Sequence, residues 1–360
     1  MIVVSYGRDV AKSTRDALEA SDIRSYLKSG MAVSIKPNLV VPRPAYDGAT
    51  THPEVVDAII RFLKHFGITK IKVIESSWVG DSTRQASDIC GYKELCSKHG
   101  VPFIDLKSDS ATTLSHGDTK IAICDEALNT DFLVNVPVLK AHCQTRLTCC
   151  MKNLKGCIPD SEKSRFHAQG LYKHIAVLSM LLKTGYCVVD GICGDLSAEA
   201  GGNPVESNRI IAGRDPLVLD SYCAELIGYE PDEIKYLSYG KQLGLGDYYS
   251  ESVKVIELNA HEKPVRTPEG RRHADRYSGL IDEDAACSAC YSSLVYALHK
   301  SGNIRFSGKF HIGQGFKGKG GDGFGIGNCA RGFKRCVLGC PPKATDIASA
   351  LRSASVNRLT

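Results

Sequence analysis

Short apolar runs rich in valine and isoleucine alternate with stretches of helical period along most of this chain, and that alternation limits its possible folds more than any other feature. Strands are read at residues 2–5, 32–35, 70–74, 101–106, 132–136, 187–189 and 253–258, and Ile210-Ile211 leads through Asp215-Pro216 into a helix. Helices are read at 10–29, 53–66, 83–99 and 172–182, and from Asp215-Pro216 to Ile227. The helix at 53–66 is the clearest: Val55, Val56, Ile59, Ile60 and Leu63 share one face, His52-Pro53 opens it and Gly67 closes it. Alternation sustained over roughly 250 residues predicts an α/β fold, a mostly parallel sheet with helices on both faces.

Around residues 260–284 the pattern lapses into charged residues with prolines, which reads as a linker. The expected division is therefore an α/β domain at 1–259, a linker at 260–284 and a small cysteine-rich metal-binding segment at 285–360. Five of the fifteen cysteines fall in that segment, as Cys287-Ser-Ala-Cys290, then Cys329, then Cys336-Val-Leu-Gly-Cys340-Pro. A Cys-x-x-Cys pair puts two thiolates on one turn, and two from a distant loop complete a four-sulfur site. Four thiolates suit a 4Fe–4S cubane or a structural zinc. The closing Cys-x-x-x-Cys-Pro matches the end of the bacterial ferredoxin run, whereas zinc ribbons repeat Cys-x-x-Cys in both halves. One 4Fe–4S cluster is thus the expected cofactor, with zinc as the alternative.

Cys287, Cys290 and Cys340 are the firmest ligands. Cys329 follows a Gly-x-Gly turn and is preferred as the fourth, although the ferredoxin-like ending would use Cys336, which lies among Arg331, Lys334 and Arg335. The glycine-rich run at 313–327 reads as a loop offering bare backbone N–H groups to cluster sulfurs. Its fragment Gly318-Lys-Gly-Gly-Asp-Gly323 fits G-x-G-x-x-G, but no strand-to-helix unit surrounds it.

Ligands of open α/β sheets bind outside the carboxyl ends of the strands. There the sequence places Lys36-Pro37-Asn38, Glu75-Ser-Ser-Trp78, Asp190-Gly191, and Asn135-Val-Pro-Val-Leu-Lys140-Ala-His142 continuing into Met151-Lys152-Asn153-Leu-Lys155-Gly156-Cys157. Lys36, Lys140, His142, Lys152 and Lys155, with Arg165 and His167 nearby, predict a basic cleft for a carboxylate or phosphate. Glu75 and Asp190 would act there as acid or base, or pair with the lysines. No catalytic residue is assigned. Cys143, Cys149, Cys150 and Cys157 have a spacing that fits no standard site and read as small buried apolar residues.

A net charge of +5 and a pI near 8.4 are mild, and no basic run interleaved with aromatics calls for nucleic acid. The opening Met1-Ile-Val-Val-Ser-Tyr-Gly turns polar too soon for a secretory leader, and no apolar run is long enough to span a membrane. A cytoplasmic protein without membrane contact is expected, its cysteines held as thiols or metal ligands, in keeping with an anaerobic habitat.

The C-terminal stretches Ile312-Gly-Gln-Gly-Phe316, Gly325-Ile-Gly-Asn-Cys329 and Gly339-Cys-Pro-Pro342, with the Cys-x-x-Cys before them, resemble the iron–sulfur proteins of the domain of unknown function family 362. The lysine- and glycine-marked loops, Asp190-Gly-Ile and Ile211-Ala-Gly-Arg-Asp215 resemble its N-terminal domain, so the likeness covers nearly the whole chain. It implies ligand roles for Cys287, Cys290, Cys329 and Cys340. The function that follows is a redox protein, an oxidoreductase or its reducing partner, whose α/β domain binds an anionic small molecule while the cluster passes electrons to or from it. The alternative is a non-catalytic carrier or assembly factor that docks a redox partner protein. The region 140–159 also has a faint likeness to the lactate racemase type of nickel-cofactor fold.

Overall fold

The computed structural model describes residues 1–197, 199–264, 276–302 and 308–356. By its internal contacts the chain divides into two compact units. The first comprises Met1–Ala141, Leu147–Lys163 and Tyr172–Gly270, and the second His142–Arg146, Ser164–Leu171 and Arg271–Thr360.

Eight strands form the sheet of the first unit, in the order Val255–Leu258, Ile2–Tyr6, Pro204–Gly213, Tyr186–Asp195, Phe132–Asn135, Ala32–Lys36, Lys70–Glu75 and Phe103–Asp105. Every pairing is parallel except the two that Pro204–Gly213 makes with its neighbours. Successive strand residues point to opposite faces. Val33 and Ile35, Ile71 and Val73, Tyr186 and Val188, and Ile210 and Ala212 pack on one face into a core with Leu18 of helix Val10–Ala20 and the apolar face of helix Pro53–His65. The residues between them, such as Cys187, Val189 and Ile211, are just as buried. Both faces are therefore covered, and the expected α/β fold is the one found. Each of Val55, Val56, Ile59, Ile60 and Leu63 contributes about 1.5–3 kcal/mol on burial.

Local chemistry sets the element ends. Asp215 accepts from the N–H groups of Leu217 and Val218 at 2.9 and 3.0 Å and so caps the helix Pro216–Leu226, while Pro216 at its first position gives up no needed N–H. The helix expected over 10–29 stops at Ala20. There Ser21 turns its hydroxyl back onto the Leu18 carbonyl at 2.8 Å, and a 3₁₀ turn, Ile23–Tyr26, follows. The one expected over 83–99 is two helices, Thr83–Ile89 and Tyr92–His99, parted by Gly91 at φ 76°. The strand read at 187–189 runs from Tyr186 to Asp195, and the hairpin of Ala111–His116 with Thr119–Cys124 was not expected.

The second unit has its own all-parallel sheet, in the order Ile281–Glu283, Phe310–Ile312, Gly320–Ile326 and Gly332–Val337. Helices Ser288–Ser301 and Ala344–Val356 join it in a core that includes Leu294, Leu298, Phe310, Ile312, Phe324, Ile326, Ile347 and Leu351. Of the stretch expected as a linker, residues 265–275 lie outside the described residues, and Ile281–Glu283 is a strand of this sheet. The glycine-rich run departs from the loop expected of it, because from Gly320 it is a strand. A Cβ at Gly320 would stand 2.2 Å from the Gly332 carbonyl oxygen, and one at Gly325 2.1 Å from that of Ala330. These glycines admit neighbouring backbone.

Candidate functional site

In the second unit Cys287 sits at the N-cap of helix Ser288–Ser301 and Cys290 in its first turn. Cys329 lies in the 3₁₀ turn Asn328–Ala330, and backbone bonds tie that turn to the loop of Cys340. Gly327 N–H donates to Val337 O at 2.8 Å, Asn328 N–H to Gly339 O at 2.9 Å, and Gly339 N–H returns to Asn328 Oδ1 at 2.9 Å. Burial pushes the Cys290 thiol up to about 12, and the charges of Cys287, Cys340 and Cys329 add to the effect. Those three are the other sequence-derived ligands. Cys336 is not among the groups acting on Cys290; burial alone raises its thiol, which points at Gly327 O, 3.9 Å away. No three of the four sulfurs lie within 4.8 Å of one another among the described residues.

Bare backbone and amide groups flank these thiols. A Cβ on Gly327 would come 3.6 Å from Cys290 Sγ. Gln314 donates from Nε2 to Ser164 O at 3.0 Å and stands 3.8 Å from Cys287 Sγ. Gln144 receives the Ser288 hydroxyl at 2.7 Å and donates to Ala286 O at 3.0 Å, so segment 142–146 grips the start of the helix that bears Cys287 and Cys290. Within that segment the Nδ1 of His142 accepts the N–H groups of Gln144 and Thr145 at 3.1 and 3.2 Å, which leaves Nε2 to carry the proton of the neutral ring. Gln144 and Gln314 escaped the sequence reading. The signal was available for Gln314, since it lies within the Gly-Gln-Gly of the quoted motif.

In the first unit the charged residues expected at a basic cleft are brought to the carboxyl ends of the strands, but most of them lie inside the protein. Lys36 is 1% exposed and pairs with Glu75 at 2.8 Å, while also donating to Pro37 O and Asn153 Oδ1. Glu75 accepts in addition from the N–H groups of Leu39 and Ser76 at 3.1 and 2.7 Å. Asn153 in turn donates to Asn135 Oδ1 at 2.8 Å, and Asn135 to Cys150 O at 2.8 Å. The network leaves no room for a side chain at Gly156, whose Cβ would stand 1.9 Å from Glu75 Oε1. Glu75 thus takes the pairing role that the sequence left open.

Lys140 is also 1% exposed. It donates to the Ala49 and Glu199 carbonyls and faces Asn38 Oδ1 at 3.5 Å. Burial, and after it the charge of Lys152, bring its ammonium down to about 7. Asp190 pairs with His52, not with a lysine: Oδ2 accepts both the N–H and the Nδ1 of His52, at 2.7 and 2.8 Å. Lys152 and Lys155 are half-buried, on helix Cys150–Asn153 and the 3₁₀ turn that continues it. Sequence reasoning missed His52, and it missed Lys163, which is buried among the Ser76 and Ser77 carbonyls, the Ser76 hydroxyl and Asp160. Cys143, Cys149, Cys150 and Cys157 are all buried, as expected.

The family model described as domain of unknown function (DUF362) matches residues 33–225, more than half of the chain. The chain belongs to this family. The DUF362 match takes in Lys36, Glu75, Lys140, Lys152, Lys155 and Asp190 and ends before the four-cysteine centre. A thylakoid-associated protein of Synechocystis sp. is 26% identical over 239 residues, which cover 63% of this DUF362 chain and 72% of that protein. The lactate racemase apoprotein from Thermoanaerobacterium thermosaccharolyticum superposes with a TM-score of 0.43 at 13% identity, over 64% of this chain and 57% of that one. No feature of the site rests on that superposition. Among the described residues no helix is long and apolar enough to cross a membrane.

Proposed function

We propose that the second unit holds one 4Fe–4S cluster on Cys287, Cys290, Cys329 and Cys340, and that this is a cytoplasmic redox protein whose α/β unit binds an anionic small molecule or cofactor. The observation that carries the reading is the meeting of the segments that bear them: Cys287 and Cys290 open one helix, the turn of Cys329 is bonded to the loop of Cys340, and a Cβ at Gly327 in that turn would lie 3.6 Å from Cys290 Sγ and 3.5 Å from Gly339 O. The ferredoxin-like ending Cys336-Val-Leu-Gly-Cys340-Pro341 favours a cubane over zinc as the occupant of four thiolates. Gly327 and Gln314 supply the uncrowded approach and the amide donor that commonly surround cluster sulfurs. Such a cluster supplies one-electron transfer.

The chain's own residues do the rest. Lys36 with Glu75, Lys140 with its carbonyls, and Asp190 with His52 hold the loops at the strand ends from within. Lys152 and Lys155, nearer the surface, offer positive charge to a carboxylate or phosphate. The interior pairing of Lys36 and Lys140 also supports a second reading, a non-catalytic carrier or assembly factor that docks a redox partner protein.

Anaerobic purification with iron, acid-labile sulfide and zinc analysis tests the centre, alongside absorption and EPR spectra before and after dithionite. About four iron and four sulfide per chain, bleaching on reduction, is the expected result. About one zinc and no chromophore would overturn it. For the ligand, a thermal-shift screen with small carboxylates and phosphates should give protection that Lys152→Ala with Lys155→Ala abolishes. No protection of either protein would leave the carrier reading.

A further inference from the structure

A second group of thiols lies in the core of the first unit, where neither the buried polar network nor the four-cysteine centre uses it. Cys149 and Cys150 flank the start of helix Cys150–Asn153, Cys187 lies on strand Tyr186–Asp195, and Asp220 and Cys223 are one turn apart on helix Pro216–Leu226. All five side chains are fully buried. The sulfurs of Cys149 and Cys150 are 3.8 Å apart, and with a carboxylate oxygen of Asp220 they form a triangle in which every separation is within 4.8 Å. Cys223 lies outside this triangle, close enough for its thiol to act on that of Cys149, as Cys187 acts on Cys150.

Asp220 is oriented with care. It accepts from the Cys150 and Met151 N–H groups at 2.6 and 3.0 Å and from the Tyr236 hydroxyl at 3.3 Å. Among the described residues no lysine, arginine or histidine forms an ion pair with it. A carboxylate in a dry core needs a cation or a proton, and thiols gathered around it add ligands that a cation would deprotonate. Two sulfurs on one tetrahedral ion with bonds of about 2.3 Å stand about 3.8 Å apart, the separation already present here.

We propose that Cys149, Cys150, Asp220 and Cys223 form a buried site for one thiophilic d¹⁰ divalent ion of the zinc and cadmium class. Binding forms three metal–sulfur bonds and one metal–oxygen bond and releases to solvent the three thiol protons and the proton that Asp220 holds in the metal-free site. Arg209, fully buried and close enough for its charge to act on Cys223, offsets part of the excess negative charge. With every ligand buried, the ion enters as the chain folds and does not exchange from the native state. This site is independent of the proposed cluster and stands or falls without it.

The test refolds the full chain anaerobically with Co²⁺ as probe, in the wild type and in a Cys287→Ser/Cys290→Ser background that removes the C-terminal centre. Expected is one Co²⁺ per chain in that background, with an intense thiolate-to-cobalt charge-transfer band. The band should fall by about one third in Cys223→Ala, one thiolate of three being lost, and vanish in Cys149→Ser/Cys150→Ser. Circular dichroism of Cys223→Ala confirms that the chain is folded. A background variant with no bound cobalt, or a band unchanged by Cys223→Ala, would overturn the site. A denatured thiol titre two short of the cysteine count, with no metal bound, would overturn it in favour of a Cys149–Cys150 disulfide.

Discussion

Lys36→Met is the sharpest probe of how the strand-end loops are held. The ammonium that it removes makes three interactions inside the protein, with Glu75, Pro37 O and Asn153 Oδ1. Afterwards Glu75, 3% exposed, is left among the described residues with the Leu39 and Ser76 N–H groups and no cation in a dry site. Removing one partner of a buried ion pair costs about 3–5 kcal/mol, because the charge left behind is uncompensated. At about 2–4 °C per kcal/mol for a unit of this size, the melting temperature should fall by between about 6 and 20 °C. Adding Glu75→Gln removes the stranded charge, so the double variant should be more stable than Lys36→Met alone and the pair strongly non-additive. Urea unfolding followed by tryptophan fluorescence measures this cleanly, since the single tryptophan, Trp78, lies three residues beyond Glu75 in the same unit. A loss below about 1 kcal/mol for Lys36→Met, or additive costs in the double variant, would refute a dry, charge-paired interior at this point.

Other consequences can be checked separately. Cys287→Ser and Cys340→Ser should each strip most of the iron from anaerobically purified protein, whereas Cys336→Ser should retain it; metal analysis decides, and full loss in Cys336→Ser would move the fourth ligand. Lys140 titrates near 7 in the folded chain and at the ordinary 10.5 when unfolded, so the unfolded state binds more protons between those values. Stability relative to Lys140→Met should therefore rise with pH across that window and level off above it, as read from urea midpoints; a difference flat with pH refutes the burial of a strained ammonium. Gly325→Ala, which drives a methyl to 2.1 Å from the Ala330 carbonyl, should unpair the small sheet and lower cluster content, whereas Gly67→Ala, with open space around it, should cost only the strain of its positive φ.

Much of the large sheet was legible because parallel strands covered on both faces must be apolar at nearly every position, and Val33, Ile35, Ile71, Val73, Val188 and Val189 are. The helix Pro53–His65 was equally plain, since its period and its proline agreed. Helix breaks were not. Ser21 and Gly91 act through one hydrogen bond and one positive φ, too local to disturb the hydrophobic period around them. The C-terminal cysteines stood out as a group by their spacing, which left Cys329 and Cys336 in competition for one place, but the fate of the lysines could not be read. Whether Lys36 faces an anion or Glu75 depends on a partner 39 residues away, and nothing in the neighbourhood of either residue encodes that meeting. The glycine-rich run misled for a related reason: glycine marks close approach whether the approaching group is a ligand or, as at Gly320 and Gly325, the next strand.

The second unit is also discontinuous. His142–Arg146 and Ser164–Leu171 belong to it, yet both lie inside residues 33–225, the part of the chain that defines its family. The part that carries the four cysteines is thus tied into the family-defining stretch, through the Gln144 side chain on Ser288 and Ala286 and through the Ser164 carbonyl on Gln314. Cutting the chain before Cys287 would therefore strip partners from residues 142–146 and 164–171, so a truncated chain would not be the first unit alone but the first unit with two segments left unsupported.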